Sequence, residues 1–182
     1  ARAVLFGGYL LKQQELVEFG RNLLKVQLPR ITEALVLRES STHYQFLFTR
    51  WLAEICIGAR EFGDDTTADI VRSYLEKGIY CCKLLSVNGQ LPLVGDVSPD
   101  ADPNWLIDLP ECTLWSKERG LADHKTSWAG LFAAHKHLGI SIEGDISAPG
   151  HHFVGPWHRV NWGSWTVLWR EEQPGLSSIA SH

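Results

Sequence analysis

Helical periodicity runs through most of this chain and then stops, and that switch limits the folds open to it. Residues 2 to 13 repeat apolar side chains at helical spacing. Leu16, Phe19, Leu23, Leu24 and Gln27 predict a second helix, stopped near Pro29. A third is expected from Thr42 to Ala59, and a fourth from Thr67 to Leu85 with Ile70, Tyr74, Leu75 and Cys82 on one side. Short connections between such helices predict antiparallel hairpins. Asn88-Gly89 and Pro92 break the run, and one more helix is expected over Thr126 to His137. After Gly139 the pattern changes. Trp157, Trp162, Trp165 and Trp169 alternate with valines, as strands do. The expected class is α+β: a helical domain over 1–138, then the beginning of a β-domain over 139–182.

The sharpest chemical signal lies at the start of the third helix. Arg38-Glu39-Ser40-Ser41-Thr42-His43-Tyr44-Gln45 places a glutamate, a histidine and a tyrosine at one helix mouth. Thr42 is the expected N-cap, with Gln45 completing a capping box. Tyr44, Leu47, Phe48, Trp51 and Ile55 follow at helical spacing. In the first turn, free N–H groups and the helix dipole favour a phenolate and a neutral imidazole. Those are the states an acid/base pair needs. Spacing alone favours the plainer reading, core packing with a cap. Arg50 is a candidate for meeting a carboxylate, although a surface arginine is the default.

At 182 residues, 45% hydrophobic and 21% charged, the chain suits one domain with a real core. A net charge of -4 gives no electrostatic case for nucleic acid as a partner. No apolar run is long enough to span a bilayer. Cys56, Cys81, Cys82 and Cys112 lack zinc spacing, and the adjacent pair reads as buried thiols. Asp96, Ser98, Asp100 and Asp102 alternate like calcium ligands. The glycine and glutamate such a loop needs are missing, so an Asx-turn loop is expected. His151 and His152 should point to opposite faces of a strand, which argues against a shared metal. With His158 they read as surface or loop residues, and His135 and His137 as partners of a helix C-terminus. The tryptophans read first as a sandwich core and second as a sugar platform.

Three pieces together resemble the heparinase II/III-like polysaccharide lyases. Glu39-x-Ser41-x-x-Tyr44 is similar to that family's E-x-S-x-x-Y segment. Leu91-Pro92-Leu93-Val94-Gly95-Asp96-Val97-Ser98-Pro99-Asp100 is similar to its P-x-x-G-D-x-S-P-D loop. Trp165 to Trp169, then Pro174-Gly175 and Ser181-His182, resembles the approach to its H-x-H-x-D segment. The resemblance implies a helical α/α toroid followed by a β-sandwich, in a periplasmic or cell-envelope enzyme. The implied reaction is β-elimination on an acidic, uronic-acid-containing polysaccharide. Tyr44 matches the family's catalytic tyrosine, and His182 the first histidine of the last segment. Glu39 is implied to orient the site or bind sugar, with His43 and Arg50 as further candidates for substrate binding. No cofactor is expected within this chain, whereas the full-length protein is implied to use a divalent metal such as zinc. An Asn-His pair expected ahead of the first helix, and the residues expected after His182, are not in the sequence. Both ends read as cut, so the chain is expected to be an interior segment, inactive alone. The competing readings are an α/α-toroid glycoside hydrolase using Glu39 with Asp96, and a noncatalytic carbohydrate-binding module.

Overall fold

The computed structural model describes residues 1–39, 41–87, 94–96 and 146–171. Helices α1 (Arg2–Leu11) and α2 (Gln14–Ile31) form one hairpin. A two-stranded hairpin, β1 (Thr32–Glu33) and β2 (Val36–Leu37), leads to a second helical pair, α3 (Thr42–Glu61) and α4 (Asp65–Leu85). Strands β3 (Gly150–Val154), β4 (Trp157–Trp162) and β5 (Trp165–Arg170) make an antiparallel sheet in the order β3-β4-β5. The architecture is α+β, as expected.

The α1–α2 pair approaches closely because both helices offer glycine. A Cβ on Gly8 would meet Val17 at 2.8 Å, and one on Gly20 would meet Leu5 at 2.7 Å. The buried stripe of α2 is therefore Val17, Gly20, Leu24 and Leu28. The expected stripe was set partly by Phe19, which is exposed. Pattern reading missed this because glycine does not score as apolar, although here it makes the contact. Pro29 does not stop α2, which continues to Ile31. The proline forfeits one bond of the ladder, to the Lys25 carbonyl, and the exposed position leaves that carbonyl to solvent.

One carboxylate fastens three helices. Asp64 caps α4 by accepting from the Thr67 N–H at 3.0 Å. It also accepts from the Arg21 guanidinium of α2 at 2.9 Å and from the Tyr9 hydroxyl of α1 at 2.9 Å. Burial by itself pushes the Asp64 carboxyl up. The hydrogen bonds from Thr67, Arg21 and Tyr9 outweigh it and hold the group at about 2. Burial, reinforced by the Asp64 charge, pushes the Tyr9 phenol up to about 12.

The sheet lies on α4 through its inner face. Val154 and Trp157 join the same core as Leu75, Ile79 and Leu85. Arg159 crosses from β4 to the end of α4, donating to the carbonyls of Leu84 (3.3 Å) and Ser86 (2.6 Å). It satisfies orphan carbonyls and complements the negative helix end. Asn161 accepts from Arg159 at 2.9 Å and donates to Ile146 and Ala148. Gly155, at φ 53°, turns β3 into β4 against the β1–β2 hairpin, where a Cβ would meet Val36 at 2.7 Å. The expected boundary near 139 and the helix over Thr126 to His137 lie outside the described residues.

Asp64→Asn keeps the cap's shape but removes the charge. At neutral pH it should cost about 2 kcal/mol, the scale of hydrogen bonds to a charged group. A depressed carboxyl contributes its stability above the ordinary value of 3.8 and loses it as pH falls toward about 2. Urea midpoints of the two proteins should therefore converge over that acidic window. A gap that stays constant across it would show that Asp64 acts through shape alone.

Candidate functional site

The start of α3 is set by Ser41 rather than Thr42. The Ser41 hydroxyl accepts from the Tyr44 N–H at 3.2 Å and donates to the Asp96 carbonyl. Thr42 is already helical. Its hydroxyl accepts from the Val94 N–H at 3.2 Å, while its own N–H donates to the Val94 carbonyl. No capping box forms, because Gln45 is turned the other way. Its carbonyl oxygen accepts from the Leu37 N–H at 2.9 Å, and its amide nitrogen lies 3.3 Å from the Thr49 hydroxyl. Gln45 is fully buried and ties the β1–β2 hairpin to α3. The motif thus positions a loop as well as starting a helix.

The hairpin reaches that place under strain. Ala34 and Leu35 take φ of 47° and 69°, a conformation non-glycine residues seldom adopt. The chain then returns through Val36 and Leu37 and delivers Glu39 to the mouth of α3. Arg170 of β5 donates to the Arg38 carbonyl at 2.8 Å, so the sheet braces the same segment.

A cavity of about 480 Å³ opens beside this segment. Its wall on α3 is the periodic stripe of Tyr44, Leu47, Phe48, Trp51 and Ile55. Leu24, Leu28 and Ile31 of α2 face it, with Arg2 at the start of α1 and Glu39 at the rim. The stripe that periodicity marks as a core face is therefore a cavity wall. Tyr44 remains 42% exposed and Trp51 41%. Among the described residues, Arg2 and Glu39 are the only charged side chains in the lining. The floor is apolar, and the polar groups sit at the edges, as in small-molecule sites.

The expected site residues divide. Tyr44 and Glu39 share the cavity. His43 does not line it. Its ring is buried, and Nδ1 has no hydrogen-bond partner among the described residues. The adjacent Tyr44 ring is 6.2 Å away and tilted by 44°. Arg50 does not line the cavity either. It is held by Glu54 at 2.9 Å, one turn further along α3. His182 lies outside the described residues, as do His135, His137 and Cys112. Asp96 is exposed and off the cavity that holds Glu39, so the two do not face one another across it. Cys56, Cys81 and Cys82 are buried free thiols. Burial pushes all three up, so they stay protonated and inert.

His151 is exposed as expected, but His158 departs from the surface reading. His152 does point away from His151, but His158 is buried on the outer face. His151 Nε2 and His158 Nδ1 are 2.9 Å apart, with ring centres 5.1 Å apart and planes 20° apart. Such nearly coplanar rings share a proton edge to edge, so these nitrogens do not converge on an ion. The Trp169 ring lies parallel to His158, 5.0 Å away. No cluster of metal-ligating side chains occurs among the described residues. Of the strand tryptophans, Trp157 alone is core, whereas Trp162 and Trp165 are 80% and 73% exposed. No described helix is long and apolar enough to cross a membrane.

Compared with family models, curated proteins and solved structures, the chain matches none.

Replacing Gln45 with leucine should cost about 1–3 kcal/mol, because the Leu37 N–H loses its acceptor in a buried place. Thermal unfolding measures the loss. Proteolysis between Leu37 and Glu39 should also accelerate, since the hairpin is no longer pinned. Unchanged cleavage there would mean that other contacts hold the hairpin.

Proposed function

We propose that this chain carries the tyrosine wall of a polysaccharide lyase, which cleaves uronic-acid-containing polymers by β-elimination. The observation that carries the reading is the placement of Tyr44. Tyr44 lines an open cavity and is 42% exposed, while its backbone lies in the first turn of α3, capped by Ser41. Elimination needs a group that takes the proton at C5 of the uronate and one that returns a proton to the departing O4. A tyrosine at the edge of a sugar-sized cavity is suited to either transfer. Trp51 and the apolar floor suit the CH faces of sugar rings.

The resemblance of Glu39-x-Ser41-x-x-Tyr44 to the heparinase II/III-like segment supports the same chemistry. Under this reading the helices belong to an α/α toroid and β3–β5 to a β-sandwich. His182 supplies a second acid/base or carboxylate-binding group. Glu39 orients sugar or Tyr44 from the rim. A divalent metal such as zinc and a periplasmic or envelope setting belong to the same reading. The hydrolase reading is weaker because Glu39 and Asp96 do not share the cavity. A noncatalytic binding module would keep the cavity and lose turnover.

The test is ultraviolet detection of the conjugated double bond that elimination creates in the product. The natural protein carrying these residues should release absorbing oligosaccharides from a uronic-acid polymer. Tyr44→Phe should lower the rate at least a hundredfold, the usual scale for losing an acid/base group, with binding retained. Reducing ends without ultraviolet absorbance would replace the lyase reading with hydrolysis.

A further inference from the structure

An elimination site needs a cation to meet the uronate carboxylate, and the residue expected in that role, Arg50, is turned away. The geometry points to Arg2 as the carboxylate-recognising, specificity-determining residue of this cavity. The inference rests on the lyase reading for its polymer, but not for its charge chemistry.

Three observations carry it. First, among the described residues Arg2 supplies the only cationic side chain of the lining, on the same cavity as Tyr44. Second, its guanidinium lies over the Trp51 ring, 5.3 Å from the centre. That contact holds the planar fork in place without using its hydrogen-bond donors. Third, Arg2 pairs with Glu54, which also accepts from Arg50. Glu54 is thus shared between two guanidiniums and anchors Arg2 from one side. The Arg2 side chain is still 42% exposed, so donors remain open to a ligand. A carboxylate presented to a fixed guanidinium takes paired hydrogen bonds that an ammonium cannot reproduce. Glu39, also in the lining, disfavours an acidic group beside itself, so Arg2 is the charged lining residue that attracts a sugar carboxylate. Sugar faces and the guanidinium would then meet Trp51 from neighbouring positions.

The experiment follows the Trp51 indole N–H signal by NMR while three probes are titrated: a uronic-acid tetrasaccharide, a neutral tetrasaccharide and acetate. For wild type, the acidic tetrasaccharide should bind more tightly than the neutral one, and acetate should shift the Trp51 signal. Arg2→Gln should weaken the acidic tetrasaccharide about tenfold, the effect of one charge-assisted contact. It should leave the neutral one unchanged and abolish the acetate response. Arg2→Lys keeps the charge without the fork and should fall between, which guards against a folding defect in the first variant. Equal losses for acidic and neutral sugars, or none, would overturn the assignment while leaving the lyase reading standing. If wild type ignores the uronate but answers acetate through Arg2, the polymer reading falls and Arg2 remains an anion receiver. Silence toward both would sink the two together.

Discussion

The Asp64 carboxylate is the interaction on which the rest of the structure depends. It caps α4, receives Arg21 from α2 and holds the Tyr9 hydroxyl of α1. Cutting a helix cap costs about 1 kcal/mol. Here the same group also balances a largely buried guanidinium, so its removal leaves a charge in a place poor in water. The cavity lies among α1, α2 and α3, with Arg2, Leu24 and Tyr44 on separate helices. α1 and α2 keep their spacing through the Gly8 and Gly20 contacts, Asp64 ties both to α4, and α3 is placed by its packing on α4. The chain from cap to site is short: one carboxylate, three helices, one cavity.

A second constraint acts at the opposite end of α3. Gln45 draws the strained hairpin onto the helix, and Arg170 reaches from the sheet to the Arg38 carbonyl. Glu39 is therefore placed by three separate elements. Unfavourable φ values at Ala34 and Leu35 survive because their surroundings fix them. Their position four and five residues before Glu39, with Leu37's contact to Gln45 in between, links this strain to the site. Arg159 closes the assembly by spanning the end of α4 and β4.

Much of the helical part was legible because amphipathic helices announce their period. α3 and α4 begin and end within a few residues of expectation, and Cys81 and Cys82 are buried as read. The departures share a cause: local pattern carries no information on tertiary partners. Ser41 took the cap because Thr42 was drawn to Val94. Gly20 replaced Phe19 on the buried face because a neighbouring helix needed room. The stripe from Tyr44 to Ile55 was visible as a face, but the sequence did not say that it faced a cavity. Arg2 was missed for the same reason. Its importance comes from Trp51 and Glu54, which lie 49 and 52 positions away along the chain. His151 and His158 were read as separate surface groups because only strand register brings their rings together.

The central claim is that the cavity beside Tyr44 receives an acidic sugar. The most direct measurement uses ring-labelled tyrosine, followed by NMR as a uronic-acid oligosaccharide is added. The account predicts that the Tyr44 signal shifts in a saturable manner, while Tyr9, engaged with Asp64, does not move. A Tyr44 signal that stays still while resonances on the exposed face of β4 and β5 shift would contradict it, placing sugar recognition on Trp162 and Trp165 instead.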